Sequence, residues 1–270
     1  MSEPLLEIQE VTAGFGATTV LHGVSFTVPR GGIAGIFGLN GAGKSVTMKT
    51  IAGIVPVRSG KVLLEGQDIT DMSPEKRVGL GMGHVPQGRQ VFPQLTVEEN
   101  LRLGAYTLRR KNKSRYAAAL DGVFDRFPVL RDRRGQLAGT MSGGQQASLS
   151  VGRALINEPS LILVDEPSAG LSPVAQLELN EVLQTVADTG VTMVLVEQNV
   201  AFGLSLVDTA HLMQTGVVVH SSPVDALDEN TLATHLGIGK VLQAATGRAL
   251  AKRQSVPTQR GGKSAGSRAS

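Results

Sequence analysis

The 270-residue chain predicts an α/β fold built on a mainly parallel sheet covered on both faces. Two observations carry that expectation. Short apolar runs such as "IAGIF", "LILVDE" and "VTMVLVE" alternate with helical stretches, and a long middle segment loses the strand pattern altogether. A chain of this length buries a full core, as one large domain or as one domain with an inserted subdomain.

The front third reads as strands separated by glycine turns: "LLEIQEV", "VSFTV", "IAGIF" and "KVLLEG". A helix is expected between the last two, from about Lys44 to Ile51. From Thr96 to about Asn157 the pattern turns helical. "TVEENLRLGAYTL" has a Thr N-cap and acids in its first turn, and "SRYAAALDGVFDRF" has helical spacing, with Pro128 expected to end it. "RRKNKSR" between them reads as a solvated loop. The last third returns to alternation. "LILVDE" is a buried strand, "SPVAQLELNEVLQTVADTG" a helix with an early Pro and a Gly stop, "VTMVLVE" a second buried strand, and "HLMQTGVVVH" a terminal hairpin. No period repeats along the chain.

Composition narrows the chemistry. There is no cysteine, which excludes disulfides, thiolate metal sites and thiol catalysis. Aromatics are scarce and Trp is absent, so a base-stacking nucleic-acid surface is not expected. The first residues, "MSEPLLEIQE", do not read as a secretory signal, and no stretch approaches the roughly 18 apolar residues of a membrane helix. A soluble or peripheral protein is expected. The net charge of +3 comes from the end of the chain. Residues 246–270 hold six of the 26 Lys/Arg and no acid, leaving 20 basic against 23 acidic residues elsewhere. That stretch is expected to be a disordered, solvated tail rather than an anionic-lipid contact.

"GLNGAGKS", residues 38–45, fits G-x-x-x-x-G-K-[ST] and lies between a predicted strand and a predicted helix. Glycines let such a loop turn successive N–H groups toward phosphate oxygens, and the helix N-terminus adds its dipole. Lys44 supplies charge for the β- and γ-phosphates, and the Ser45 hydroxyl suits Mg²⁺. "LILVDE" carries Asp165 and Glu166 to the C-terminal edge of the sheet, where open α/β sheets bind ligands. Asp165 can hold Mg²⁺ through water, and Glu166 can polarise an attacking water. In "MSGGQ", residues 141–145, Ser142 looks like an N-cap, and the following glycines leave N–H groups open at a second helix start. One nucleotide needs only one phosphate cradle. A second terminus makes sense if it covers the nucleotide of another chain.

Together these motifs resemble an ABC-type ATPase subunit, from about Leu5 to Gly239. "GLNGAGKS" resembles Walker A, "LILVDE" Walker B, and "MSGGQ" the family signature. "HVPQGRQVFPQLTVEENL" resembles the Q-loop and the approach to the helical subdomain. The resemblance implies a P-loop NTPase (RecA-like) core, an N-terminal antiparallel β-subdomain and an inserted α-helical subdomain. It places the ATPase domain at residues 1–240, with the helical insert at about 96–157. ATP and Mg²⁺ would be the bound groups. Gly38, Leu39, Asn40, Gly41, Ala42, Gly43, Lys44 and Ser45 would cradle the phosphates, with Phe15 stacked on adenine. Ser45, Gln87 and Asp165 would hold the metal, and Glu166 would serve hydrolysis. Ser142, Gly143, Gly144 and Gln145 would face the nucleotide held by a partner subunit, in a head-to-tail sandwich.

One departure lies in "MVLVEQNVAFG" (residues 193–203), where an apolar strand breaks into Glu197, Gln198 and Asn199. Gln198 stands where most of the family has a γ-phosphate-touching histidine. Its amide can donate the hydrogen bond but carries no charge, so the bond is about half as strong as a charge-assisted one. Its alternative role is a helix cap. Val46 replaces a second hydroxyl after Walker A, Ser172 replaces an Asp after Walker B, and "QQASLSV" is an unusual helix spelling.

"VEQN", "DEPSAGLSP" and "GRQVFPQLTVEENLRLGAY" together resemble the smaller ATPase of branched-chain amino acid importers. The resemblance implies two permease subunits, a second and different ATPase, a solute-binding protein, and a place on the cytoplasmic face of the inner membrane. Importers of urea and short-chain amides share much of this spelling. A soluble ABC ATPase acting on nucleic acid or ribosomes is the other alternative. It fits poorly with a slightly acidic body and the lack of tandem copies or long coiled-coil inserts. A P-loop kinase or GTPase is disfavoured by "MSGGQ" and by the lack of N-K-x-D.

Overall fold

The computed structural model describes residues 4–238 apart from 89, 107 and 109–112. Two sheets organise it. The first is antiparallel: β1 (Pro4–Phe15), β2 (Thr18–Pro29), β4 (Val57–Leu64) and β5 (Gln67–Asp68), in the order β2-β1-β4-β5. The second holds β3 (Ile33–Phe37), β6 (Met82–Val85), β7 (Leu161–Asp165), β8 (Thr192–Glu197), β9 (Thr209–Gln214) and β10 (Val217–Pro223). Its order is β10-β9-β3-β8-β7-β6, parallel throughout except for β10, which runs antiparallel to β9 as a hairpin.

The central strands are buried on both faces because their side chains serve two cores. Ala34, Ile36, Leu161, Leu163, Val194 and Val196 pack into a core shared with the antiparallel sheet. Ile33, Phe37, Ile162, Val164, Met193 and Leu195 pack on the opposite side with the helices. The split follows the two-residue period of a strand, which explains the uninterrupted apolar runs in the sequence.

Helix α1 (Lys44–Ile51) follows β3, as the sequence predicts. Helix α2 (Pro74–Gly79) was not anticipated, and it delivers Arg77 into the interior. The Arg77 guanidinium donates to the carbonyls of Thr50 and Ile51 at 2.9 and 2.7 Å, and also to those of Met72 and Thr70. A fixed cation thus satisfies the carbonyl end of α1.

Between β6 and β7 lie α3 (Val97–Gly104), α4 (Lys113–Arg126), α5 (Pro128–Asp132) and α6 (Gly143–Leu155). Helix α3 opens on the expected Thr96 cap, a full capping box with Glu99. Pro128 plays a different part from the one expected. Helix α4 has already ended at Arg126, and Pro128 begins the next helix, where its missing N–H costs nothing. The "QQASLSV" stretch is regular helix. Ser148 donates back to the Gly144 carbonyl at 3.1 Å, which lets a hydroxyl sit in an apolar interface.

Helices α7 (Pro173–Ala187), α8 (Val200–Leu204) and α9 (Glu229–Leu236) complete the described fold. Ser172 caps α7 by accepting from the Ala175 N–H, so it has a local structural use where the family pattern has an acid. Strands β5 and β6 were not foreseen, and β1 and β2 each run longer than the sequence suggested. The basic stretch at 246–270 and residues 109–112 of "RRKNKSR" lie outside the described residues, and the last three residues of that stretch open α4 rather than forming the expected loop.

Candidate nucleotide site

Strand β3 is buried along its whole length and discharges into the 38–45 loop. Gly41 and Gly43 take φ values of 83° and 103°, conformations that glycine alone adopts without strain. Gly43 is also the N-cap of α1, so the loop runs straight into a helix start whose first N–H groups have no helical acceptor. Gly38 is buried, whereas Leu39, Asn40 and Gly41 are exposed. Two neighbours brace the loop from behind. The Gly216 N–H in the β9–β10 turn donates to the Ala42 carbonyl at 2.9 Å, and its carbonyl accepts from His22 of β2 at 2.9 Å. The antiparallel sheet is thereby coupled to the loop.

Lys44 is buried inside its own loop, donating to the carbonyls of Gly38 at 2.9 Å and Leu39 at 3.3 Å. Its ammonium also lies 3.7 Å from the Glu166 carboxylate. Val46 is half-buried against the adjoining core, a packing role for the side chain that replaces a hydroxyl.

The two carboxylates after β7 have different surroundings. Asp165 is buried, one of its oxygens has no hydrogen-bond partner, and Ser45 bonds to its side chain. Burial, followed by the neighbouring charge of Glu166, pushes its pKa up to about 6, against the pull of Lys49, Lys44 and Ser45. A buried acceptor oxygen lacking a donor, beside a hydroxyl, is a donor set that a hard divalent cation satisfies. Glu166 breaks out of the strand at φ 42°, a strained conformation for a side-chain-bearing residue, fixed by its N–H donating to the Val196 carbonyl. Its carboxylate accepts from Gln87 Nε2 at 2.6 Å. Gln87 reaches there from the segment just past β6.

Beside Glu166 opens a cleft of about 270 Å³ lined by Ser168, Ala169, Gln176, Glu197, Gln198 and Asn199. Gln198 is exposed to it. The helix cap is its neighbour, since Asn199 accepts from the Phe202 N–H at the start of α8. The alternative role weighed for Gln198 therefore belongs to the next residue. Glu197, for which no motif assigns a role, is buried, and its carboxylate accepts from three backbone N–H groups.

The structure thus brings together residues 38–45, Gln87, Asp165, Glu166 and Gln198. Two further sets of predicted residues are joined to them by no described hydrogen bond or ion pair. Phe15 is exposed at the end of β1, beside the turn into β2. Ser142 caps α6 in a capping box with Gln145, as the sequence suggested, and no described hydrogen bond or ion pair joins this turn to the phosphate loop. Of its two glycines, Gly143 is half-open, but Gly144 is buried with the Glu178 carboxylate of α7 against it.

The ABC transporter family matches residues 21–169. Among curated proteins, the chain is 39% identical over 219 residues to the high-affinity branched-chain amino acid transport ATP-binding protein BraG of Pseudomonas aeruginosa, covering 81% of this chain and 93% of that protein. It is 36% identical to the probable branched-chain amino acid transport ATP-binding protein LivF of Archaeoglobus fulgidus, covering 88% of this chain and all of the relative. The lipopolysaccharide export ATP-binding protein LptB of Escherichia coli is more distant, at 29% identity with 86% and 97% covered. Among solved structures, a nucleotide-free ATP-binding cassette of an ABC transporter superposes with a TM-score of 0.74 at 25% identity, covering 90% of this chain and 98% of that one. The ADP conformation of MJ1267, another such cassette, gives 0.72 at 27% identity, with 91% and 100% covered. The cradle, the carboxylate pair and these likenesses agree: the chain belongs to the ABC transporter family, as an ATP-binding and ATP-hydrolysing subunit.

Proposed function

We propose that this chain powers the import of branched-chain amino acids from the cytoplasmic face of the bacterial inner membrane. It would work as a peripheral subunit beside a second, different ABC ATPase, two integral-membrane permeases and a solute-binding protein. The observation that carries the ATPase chemistry is the meeting of Lys44, Gln87, Asp165, Glu166 and Gln198 at one edge of the central sheet. The choice of solute is supported by the likeness to BraG and LivF. No helix among the described residues is long and apolar enough to cross a membrane.

In this reading the N–H groups of residues 38–45 and the start of α1 bind the phosphates of ATP, and Lys44 turns its charge toward them. Phe15 stacks on adenine. Ser45, Gln87 and Asp165 hold Mg²⁺, which when bound neutralises phosphate charge. Glu166, steadied by Gln87 and Lys44, accepts a hydrogen bond from the attacking water and orients it in line with the γ-phosphate. The bond from the γ-phosphorus to its bridging oxygen breaks, leaving ADP and phosphate. Gln198 donates to a γ-phosphate oxygen. Ser142, Gly143, Gly144 and Gln145 face the nucleotide of the partner ATPase, so two subunits complete each other's sites.

The test is reconstitution. Co-expressed with the permeases and second ATPase and placed in proteoliposomes with the binding protein, the complex should take up leucine only with ATP. Uptake of urea or short amides without leucine would move the assignment to that solute class. Stable binding to ribosomes or DNA, with none to permeases, would remove the transport reading.

A further inference from the structure

Glu197 ends the buried strand β8 and is 1% exposed. Such a carboxylate needs partners, and this one accepts from three backbone N–H groups, with the Ser168 hydroxyl also bonding to it. One oxygen accepts from Ser168 at 2.9 Å. The other accepts from Gln198 at 3.0 Å and Asn199 at 3.1 Å. Ser168 lies in the loop two residues beyond Glu166, and Gln198 lines the same cleft as Glu166. Asn199 extends the link, capping α8 through its oxygen and donating to Gln176 of α7 at 3.3 Å. The Glu197 side chain is therefore the tie between the loop after β7 and the tip of β8. Packing closes in around it: a Cβ on Gly203 would come within 3.3 Å of the Glu197 Cβ and also overlap the Phe37 ring.

We propose that Glu197 is a positioning residue for ATP hydrolysis, its carboxylate fixing the main chain at Gln198, from which that side chain projects, and the Ser168 loop relative to Glu166. This rests on the reading that Glu166 and Gln198 face the γ-phosphate. A carboxylate suits the task because it only accepts, whereas the three backbone N–H groups aimed at it only donate and the Ser168 hydroxyl can donate too. An amide in its place satisfies at most one side of the tie, because its NH₂ must confront at least one N–H. The phosphate loop stands on β3 and α1 and takes no hydrogen bond from Glu197, so nucleotide affinity does not depend on the tie.

The experiment compares Glu197→Gln, Glu197→Ala and Glu166→Gln in the assembled complex, reading kcat and KM for ATP together with the melting temperature. The expected result is a kcat lowered on the order of tenfold in Glu197→Ala and less in Glu197→Gln, with KM within about twofold. A role in folding alone would instead lower the melting temperature and the yield of active complex while leaving kcat per active site unchanged, and that outcome overturns the proposal. Unchanged kcat in both Glu197 variants, with turnover lost in Glu166→Gln, overturns it as well and leaves the reading of the site intact. Full turnover in Glu166→Gln overturns both.

Discussion

Gln87 Nε2 donates to a Glu166 carboxylate oxygen across 2.6 Å, joining the segment after β6 to the residue after β7. With Lys44 3.7 Å away on the other oxygen, the carboxylate is held by a neutral donor and a cation from two further elements. Its backbone is strained as well, at φ 42°. Three constraints on one side chain mark a group whose aim matters.

Glu166→Gln keeps the shape and removes the ability to draw a proton from water. ATPase turnover in the assembled complex should fall by about 10²- to 10⁴-fold, with ATP binding retained. Gln87→Ala should cost about tenfold by loosening the carboxylate. Steady-state ATPase rates beside ATP-binding isotherms check both, and a Glu166→Gln enzyme near wild-type rate would remove Glu166 from the chemistry.

Gln198→Ala deletes one neutral hydrogen bond to phosphate, worth roughly 0.5–1.5 kcal/mol, so turnover should drop roughly two- to tenfold. Gln198→His restores a donor that can also carry charge. It should turn over at least as fast as the natural protein and acquire a new inflection in its pH–rate profile near the histidine pKa of about 6.5. A profile without that inflection would show that position 198 does not reach the reacting phosphate.

Gly43→Ala is expected to break the phosphate cradle. The backbone there sits at φ 103°, and an added Cβ would lie 3.0 Å from Leu21, 3.2 Å from Met213 and 3.3 Å from the Gly216 Cα. Strain of about 1–3 kcal/mol should appear as a lowered melting temperature, with ATP affinity lost in parallel. Thermal melts with and without nucleotide separate the two effects.

His211 links stability to pH. It is 3% exposed, its ring centroid is 4.8 Å from that of Phe26, its Nδ1 meets the Ser221 hydroxyl at 2.8 Å, and burial pulls its pKa down to about 4. Between about pH 6.5 and 4 the unfolded chain holds the extra proton, so this group lowers stability as pH falls through that window and contributes no slope above it. His211→Asn keeps a hydrogen-bonding atom near Nδ1 and has no proton to gain. Its melting temperature should start lower at pH 7, for want of the ring, but decline less steeply toward pH 4. Identical slopes would place the acid sensitivity elsewhere.

Much of this site was legible because its motifs are contiguous. The glycines of residues 38–43, Lys44 and Ser45 sit side by side in the chain, and so do Asp165 and Glu166, so local spacing alone displays the chemistry. Glu197 was not legible in the same way. Its role depends on Ser168, 29 positions away, and a lone acid after an apolar run says nothing of what donates to it. Arg77 was hidden by its own chemistry, since arginine is seldom buried and its acceptors are main-chain carbonyls that no sequence pattern reveals. Strand β6 escaped because "MGHV" is only four residues long and contains a glycine and a histidine, too little for a period to register. The packing of the Glu178 carboxylate against Gly144 could not be foreseen either, because it arrives from α7.

Adjacent positions on the central strands belong to different interiors, Val194 to one and Leu195 to the other. Damage to the hydrophobic filling should therefore alternate from one residue to the next within a strand rather than vary with distance along the chain. A shortened side chain at 194 loosens the footing of the antiparallel sheet behind the phosphate loop, while one at 195 loosens the footing of the helices. A single backbone thread gives two independent handles on one machine.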